Sequence, residues 1–152
     1  MSLTLPARTP RGFTVTEVLT VLVALAVLAA VSVSMWRSNA LSVRRHDAMD
    51  ALLAVQAAQD RYFGEHARYA DETQLTAEPP GGLGIKPVSR RGLFQISARN
   101  SEDDLGYWAT ARAIDLEGQP ADTRCVELRI DQNGRRFAID AKGEDRSADC
   151  WR

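Results

Sequence analysis

The sequence predicts an α+β protein in which a long N-terminal α-helix packs on a small antiparallel β-sheet of about four strands. Three observations predict this class. An apolar run at residues 13–36 is long enough to span a membrane, a helical period continues beyond it, and four short apolar segments follow later in the chain. Because a sheet with one apolar face needs a cover, we expect the second half of the helix to supply it.

The apolar run is the strongest signal near the N terminus. Residues 13–36 contain one charge, Glu17, and at roughly 1.5 Å per helical residue they reach about 36 Å, more than a hydrocarbon core of roughly 30 Å. An ordinary secretory signal is the competing interpretation, because Arg8 and Arg11 precede the run and Ser32-Val33-Ser34 is a passable cleavage site. We favour a membrane-spanning helix, since the run is longer than the roughly 7 to 15 residues of a typical signal.

Glu17 needs an explanation, because a carboxylate inside a membrane costs a few kcal/mol unless it finds a partner. A side chain near the end of a span can extend to the lipid headgroups and stay hydrated. Alternatively, cleavage of the chain just before Phe13 would create a free α-amino group that a neighbouring copy of Glu17 can bind. The residues alone leave both explanations open.

A helical hydrophobic period continues beyond the apolar run. We expect the helix to continue to about Gly64 and to pack one stripe of side chains on the sheet. The predicted stripe consists of Leu41, Ala48, Leu52, Val55, Gln59 and Tyr62. The predicted polar faces carry Arg44, Arg45, Asp47, Asp50, Asp60 and Arg61.

The remainder of the chain predicts an irregular connection and a meander of strands. Residues 65–91 contain Pro79-Pro80-Gly81-Gly82 but no Gly-Lys-Ser/Thr, so we interpret them as a connection and not as a phosphate loop. Asn133-Gly134 indicates a hairpin, because this pair accepts the positive φ that tight turns need. The predicted strands are 93–98, 107–114, 126–130 and 136–139.

The two cysteines, Cys125 and Cys150, lie far apart, with no Cys-x-x-Cys pair and only two histidines in the chain. A single structural disulfide is the simplest interpretation. It requires an oxidising compartment, so we expect the C-terminal region to face the outside of the inner membrane.

Composition and motifs argue against several functional classes. The formal net charge is −1, and removal of Arg8 and Arg11 would make it −1 − 2 = −3, so no global positive field attracts nucleic acid. No nucleophile motif, phosphate loop or metal-ligand spacing is recognisable. We therefore expect no enzyme, no cofactor and no metal.

Two charged groups allow a functional and a structural interpretation. An acidic group is compatible with calcium, but it lacks the EF-hand spacing, so a solvated loop is favoured. A basic group is compatible with phosphate contact along one edge of the sheet, but Glu127 and Asp131 interrupt it, so we favour a mixed-sign solvent face and expect no nucleic-acid partner. The acidic group is either Asp103 with Asp104, or Asp140 with Glu144 and Asp145, and the basic group comprises Arg124, Arg129, Arg135 and Arg136.

The N-terminal sequence Gly12-Phe13-Thr14-Val15-Thr16-Glu17, with an arginine-bearing leader before it and an unbroken apolar helix after it, resembles the class III signal of type IV prepilins. In that family a prepilin peptidase cuts after the Gly and methylates the new N-terminal Phe. The resemblance implies cleavage between Gly12 and Phe13 and N-methylation of Phe13. It also implies that Glu17 pairs with the Phe13 amine of an adjacent subunit during assembly.

The C-terminal region is similar to that of PilE-type minor pilins. The similarity lies in residues 122–128, in Asn133-Gly134 and in Cys150-Trp151-Arg152. Where many members of the family carry Gly and Pro inside the long helix, this sequence has Ala26 and Ser34, neither of which breaks a helix as Gly or Pro would.

The resemblance implies a pilin-like organisation and a function. We expect a leader at 1–12, a membrane-spanning or filament-core helix at 13–36, an amphipathic continuation at 37–64, and a loop, sheet and disulfide-bounded region at 65–152. The implied function is a type IV minor pilin, a structural or assembly subunit of pili used in adhesion, twitching motility or DNA uptake. The alternatives are a pseudopilin of a type II secretion system and a membrane-anchored periplasmic binding module.

The resemblance also implies partners and a location. The expected partners are other pilin subunits, major and minor, the prepilin peptidase and the inner-membrane assembly machinery. Before assembly the chain would cross the inner membrane once, with its C-terminal domain in the periplasm. After assembly it would lie in the pilus at the cell surface.

Overall fold

The computed structural model describes Gly12 and residues 14–101, 105–115 and 122–152, with the backbone alone at 33, 34, 37 and 38. The chain divides into two units, Met1–Ser38 and Asn39–Arg152. Helix α1, Val15–His66, contributes residues to both units.

In the first unit, α1 begins with a capped, apolar segment. The Thr14 hydroxyl accepts a hydrogen bond from the backbone N–H of Glu17 at 3.3 Å, which satisfies one of the free N–H groups at the start of a helix. Val15–Ser32 has a mean hydropathy of 2.3, and none of its residues is buried. This part of α1 is therefore long and apolar enough to cross a membrane.

The second unit contains one antiparallel sheet in which each strand pairs with the next in the sequence. The strands are β1 (Phe94–Asn100), β2 (Tyr107–Ala113), β3 (Glu127–Asp131) and β4 (Arg136–Ile139). A 3-10 turn, Glu72–Gln74, lies between α1 and the sheet, and a short helix, α2 (Ser147–Cys150), follows it. The predicted α+β class and the four predicted strands are confirmed, with strand ends shifted by one or two residues at most.

The core of this unit forms where the second half of α1 meets the inner face of the sheet. Helix residues Ala48, Leu52 and Val55 are fully buried. Side chains alternate along the strands, so that most of the apolar strand residues lie on the inner face. The strand residues of the core are Phe94, Ile96, Ala98, Tyr107, Ala109, Ala111, Leu128, Ile130 and Ala138.

Helix α1 ends at His66, two residues beyond the predicted stop at Gly64. Ala67 has a φ of 55°, in the left-handed region, and its N–H donates to the carbonyl of Phe63 at 2.8 Å. A residue in this conformation commonly ends a helix, and glycine is the usual choice. Here the left-handed residue is an alanine, so Gly64 remains inside the last turn.

Two charged residues predicted on the polar faces of α1, Arg44 and Asp47, are buried. Asp47 Oδ1 accepts a hydrogen bond from the backbone N–H of Arg91 at 3.2 Å, so the segment before β1 packs against this part of the helix. Arg45 is half-buried, and its Nε lies 2.6 Å from Asp122 Oδ2. The structure differs from the prediction because helical periodicity contains no information about loops that return to the helix.

Gln59, which the periodicity assigns to the packed stripe, is fully buried. Its Nε2 donates to the Ala70 carbonyl at 2.8 Å, and its Oε1 accepts from the Ala70 N–H at 2.9 Å. One amide side chain therefore satisfies both backbone groups of a buried residue. These two bonds hold the chain that follows α1 against the helix.

Cys125 and Cys150 form a disulfide, and both are fully buried. Further bonds hold the C-terminal residues to β4. The Arg146 N–H donates to the Ala138 carbonyl at 2.8 Å, and Trp151 Nε1 donates to the Phe137 carbonyl at 2.9 Å. The C-terminal residues are thus attached by a covalent bridge and by a set of hydrogen bonds.

We predict that replacing both cysteines, Cys125→Ser with Cys150→Ser, lowers the free energy of unfolding. The bridge spans 25 residues, and loop-closure entropy assigns such a bridge about 3 kcal/mol. Denaturant unfolding of the full chain in detergent micelles measures the change. Ala148→Ser, in the same turn, is the control and should stay within about 0.5 kcal/mol of the parent. An equal stability of the double variant and the parent would contradict the prediction.

We predict that Gln59→Leu destabilises the second unit by about 2 to 6 kcal/mol, because each of the two Ala70 groups left unsatisfied costs about 1 to 3 kcal/mol. The same unfolding measurement applies. Gln56→Leu, less than one turn earlier and half-buried, is the matched control. A similar small effect of the two substitutions would show that the Gln59 amide contributes nothing to stability.

Candidate functional site

The predicted processing residues lie at the start of α1. Gly12 is exposed and precedes the helix, and Glu17 is exposed in its first turn. Phe13, with the leader at 1–11, lies outside the described residues. Cleavage, methylation and the pairing of Glu17 therefore stay predictions.

The face of the sheet opposite the core, which we call the outer face, carries arginines and two exposed aromatic rings. The strand register aligns Arg99 with Trp108, Arg112 with Glu127, and Arg129 with Phe137. The rings of Trp108 and Phe137 are in edge contact, with centroids 5.2 Å apart and planes at 65°. Guanidinium groups and aromatic rings thus share one surface.

The carboxylates of the outer face lie beneath its arginines. The side chains of Glu127 and Asp131 are 7% and 1% exposed, whereas those of Arg112, Arg129 and Arg135 are 73%, 48% and 65% exposed. Arg129 is hydrogen-bonded to Glu127. Arg135 Nε lies 2.6 Å from Asp131 Oδ2. The face is mixed in sign, in agreement with the favoured interpretation of the sequence, but its positive groups are outermost.

Asp131 is ionised at neutral pH and compensates the charge of Arg135. Burial alone raises the pKa of Asp131, but hydrogen bonds from the Arg135 backbone and guanidinium and from Asn133 outweigh burial and hold this pKa below its ordinary value. The Asn133 and Arg135 N–H groups donate to Asp131 Oδ1 at 2.9 and 2.8 Å. Gly134 supplies the positive φ of this hairpin, at 74°. The carboxylate therefore shapes the β3-β4 turn as well as neutralising Arg135.

The other two arginines of the predicted basic group also have partners. Arg124 Nη2 lies 3.1 Å from Asp149 Oδ2. The Arg136 guanidinium lies over the Trp151 ring, 5.2 Å from its centroid. The structure therefore distributes the four arginines over separate local contacts and forms no continuous basic edge from them.

In the described part of the chain, carboxylates considered for calcium accept hydrogen bonds from nearby backbone N–H groups. Asp140 Oδ1 accepts hydrogen bonds from the N–H groups of Lys142 and Glu144 at 2.8 and 3.0 Å. Asp145 Oδ1 accepts from the Ser147 N–H and hydroxyl. Asp103 and Asp104 lie outside the described residues.

A second basic surface lies in the connection before β1, at residues 86–91, which we call the basic segment. Lys86, Arg90 and Arg91 are exposed, and the segment contains no acidic residue. In the ranges that the structure describes, no ion pair involves these three cations. Within the described residues, these three cations therefore have no carboxylate partner.

The basic segment is held in place by the buried Ser89. The Ser89 hydroxyl accepts hydrogen bonds from the N–H groups of Leu93 and Phe94 at 3.1 and 3.0 Å, and the Ser89 N–H donates to the Phe94 carbonyl at 2.8 Å. The contact between the Arg91 backbone and Asp47 ties the segment to α1 as well. The side chains of Arg90 and Arg91 thus project from an anchored backbone.

A groove of about 670 Å³ lies between the basic segment and α1. The segment lines it with Lys86, Arg90 and Arg91, and α1 lines it with Asp47 and Asp50. Asp47 is buried and hydrogen-bonded to the segment, whereas Asp50 is exposed. Positive groups therefore predominate at the exposed rim of the groove.

The basic segment is not among the predicted sites, because residues 65–91 are interpreted in the sequence analysis as an irregular connection without a binding function. A signal was present, since KPVSRR places three cations within six residues with no acid among them. The anchoring could not be predicted, because the bond that ties the segment to α1 joins residues 44 positions apart.

Comparison with known proteins identifies the family. A family model described as "Type IV minor pilin ComP, DNA uptake sequence receptor" matches residues 34–129, more than half of the chain. A search of curated proteins finds no match. A high-resolution structure of a type IV pilin from Shewanella oneidensis is 21% identical, over 63% of this chain and 89% of that chain, with a TM-score of 0.44. The matched family model shows that the chain belongs to the ComP family of type IV minor pilins.

Proposed function

We propose that this type IV minor pilin binds DNA through its basic segment and serves DNA uptake through the pilus. The observation that carries the proposal is the set of three exposed cations, Lys86, Arg90 and Arg91, on an anchored backbone with no ion pair among the described residues. The family description, a DNA uptake sequence receptor, supports the same partner. The matched residues include the whole basic segment.

The lack of carboxylate partners among the described residues favours contact between these cations and phosphate. A phosphate that approaches Arg90 or Arg91 displaces no carboxylate of the described residues, and a guanidinium can bind two phosphate oxygens at once. Each phosphate that a cation neutralises also releases condensed counterions, which is the main source of affinity for the DNA backbone. By contrast, Arg124 and Arg135 would each have to share or give up a carboxylate partner.

A net charge of −1 led the sequence analysis to expect no nucleic-acid partner. Charges separated by more than a screening length of roughly 8 to 10 Å interact weakly at physiological salt, so local charge decides whether a phosphate is attracted at contact. The basic segment carries three positive charges and no negative one. Asp50, across the groove, opposes this local field.

Family membership favours a type IV minor pilin over a secretion pseudopilin or a membrane-anchored binding module. We propose that other pilins, the prepilin peptidase and the inner-membrane assembly machinery are its partners. The apolar helix at 13–36 would hold the chain in the inner membrane with residues 65–152 in the periplasm, an oxidising location that the buried disulfide supports. After assembly the basic segment would be displayed on the pilus.

We propose further that the leader at 1–12 is removed by cleavage after Gly12 and that Phe13 becomes the methylated N terminus. Glu17 would then bind the Phe13 amine of a neighbouring subunit. The cost of an unpartnered carboxylate in an apolar environment supports this pairing, because assembly would provide the opposite charge.

We predict that the triple variant Lys86→Ala, Arg90→Ala, Arg91→Ala binds duplex DNA more weakly and with less dependence on salt. Each lost phosphate contact should reduce the slope of log K against log salt by about 0.9, so three should reduce it by about 2 to 3. Fluorescence anisotropy of a labelled duplex with the full chain in detergent micelles, between low and physiological salt, measures both quantities.

The matched control for this experiment is the triple variant Arg124→Ala, Arg135→Ala, Arg136→Ala, which removes the same charge from residues that already have partners. It should retain most of the salt slope. Asp50→Asn should have the opposite effect and strengthen binding. Equal losses in the two triple variants would indicate that total charge, and not the basic segment, determines binding.

We predict that Glu17→Ala is processed but poorly incorporated into pili, because removal of the carboxylate eases insertion and leaves a neighbour's amine unpaired. Mass spectrometry should find methylated Phe13 as the N terminus of the variant, and immunoblots of sheared pili should find little of it. Thr16→Ala is the neighbouring control. Normal incorporation of Glu17→Ala would mean that the side chain only reaches the headgroups.

A further inference from the structure

The aromatic pair of the outer face has no role in the core of the protein. Trp108 and Phe137 are 42% and 37% exposed, although their rings are in edge contact with each other. A single exposed apolar residue is ordinary, but two exposed aromatic rings in contact on one face of a sheet are compatible with a binding surface.

Trp108 also stands between two shallow hollows. One, of about 250 Å³, is shared with Phe137, Arg129 and Asp145. The other, of about 310 Å³, is shared with Leu105 and Arg135. Pockets that enclose a small molecule usually have roughly 300 to 1,000 Å³, and these hollows lie at or below the small end of that range, so they suit a flat group that stacks on the indole and remains partly exposed.

The charged side chains around the two rings determine which kind of flat ligand this surface can bind. The carboxylates Glu127 and Asp131 are buried beneath Arg129 and Arg135, so on this side of the rings a ligand meets guanidinium groups first. The exposed Asp145, which also lines the first hollow, opposes an anion there. A planar ring joined to an anion fits this arrangement, with the ring on Trp108 and the anion on an arginine. A nucleotide with an unpaired base has both parts.

We infer that the outer face binds single-stranded DNA, with unpaired bases stacked on Trp108 and Phe137 and with phosphates that share the exposed guanidinium groups of Arg129 and Arg135 with their buried carboxylate partners. This inference rests on the DNA-binding function proposed above. It adds a second binding surface and specifies that this surface binds single-stranded DNA. The bases of an intact duplex are stacked on each other and cannot reach the indole, so the surface selects unpaired strands. The basic segment, which contacts phosphates alone, needs no such distinction.

The test measures binding of a labelled thymidine 12-mer and of a matched duplex to the full chain in detergent micelles. Base stacking on an aromatic residue is worth about 1 to 3 kcal/mol, so Trp108→Leu should weaken binding of the single strand about 5- to 150-fold. It should leave duplex binding within about twofold of the parent. Trp108→Phe, which keeps an aromatic face, should recover part of the loss.

Phe63→Leu is the matched control, because Phe63 is an aromatic residue of α1 with a similar exposure of 36%. It should leave single-strand binding unchanged. Thermal unfolding of each variant establishes that the domain is folded, and if Trp108→Leu is unfolded, the comparison is made with Phe137→Leu. Unchanged single-strand binding by a folded Trp108→Leu or Phe137→Leu variant overturns the inference.

Two other results separate this inference from the proposed function. If Trp108→Leu lowers incorporation into pili while single-strand binding is unchanged, the outer face is a subunit interface and the inference is wrong. If the triple variant of the basic segment binds duplex as well as the parent while Trp108→Leu loses the single strand, the inference stands and the basic segment is not the duplex site.

Discussion

Burial of the inner face of the sheet under the second half of α1 fixes the positions of the other functional groups. Leu52 and Val55 are fully buried on the helix, with Leu128 and Ile130 facing the same core. Because side chains alternate along a strand, this contact turns Trp108 and Arg129 to the opposite face. It also requires the chain to return from the helix to the edge strand β1, and the basic segment lies on that return.

Buried polar groups then determine how the surface is charged. Asp47 and Ser89 satisfy backbone groups of the returning chain, so this connection has an anchored backbone and exposed cations. On the sheet, Asp131 and Glu127 lie beneath their arginines and neutralise them locally. The part of the protein that the structure describes therefore has two kinds of basic surface, one with buried carboxylates beneath its arginines and one without ion pairs.

Much of the fold could be predicted from local patterns, because periods of 3.6 and 2 residues identify a helix and strands wherever they occur. The stripe that includes Gln59 was found in this way, and so were the strands and the hairpin at Gly134. The burial of Asp47 and the pairing of Arg124 with Asp149 depend on contacts between distant parts of the chain. For that reason the sequence indicated Arg124, Arg129, Arg135 and Arg136 as a basic group but could not show that these arginines have partners, and it did not indicate the basic segment.

Residue-level protection of arginines by DNA tests the central claim most directly, because it asks which guanidinium groups contact phosphate. The full chain in detergent micelles is modified with phenylglyoxal in the presence and absence of a duplex, and each arginine is quantified by mass spectrometry. The account predicts that DNA protects Arg90 and Arg91 strongly and leaves Arg124 and Arg136 as reactive as in the free protein. Protection of Arg124 and Arg136, with Arg90 and Arg91 unchanged, would contradict it.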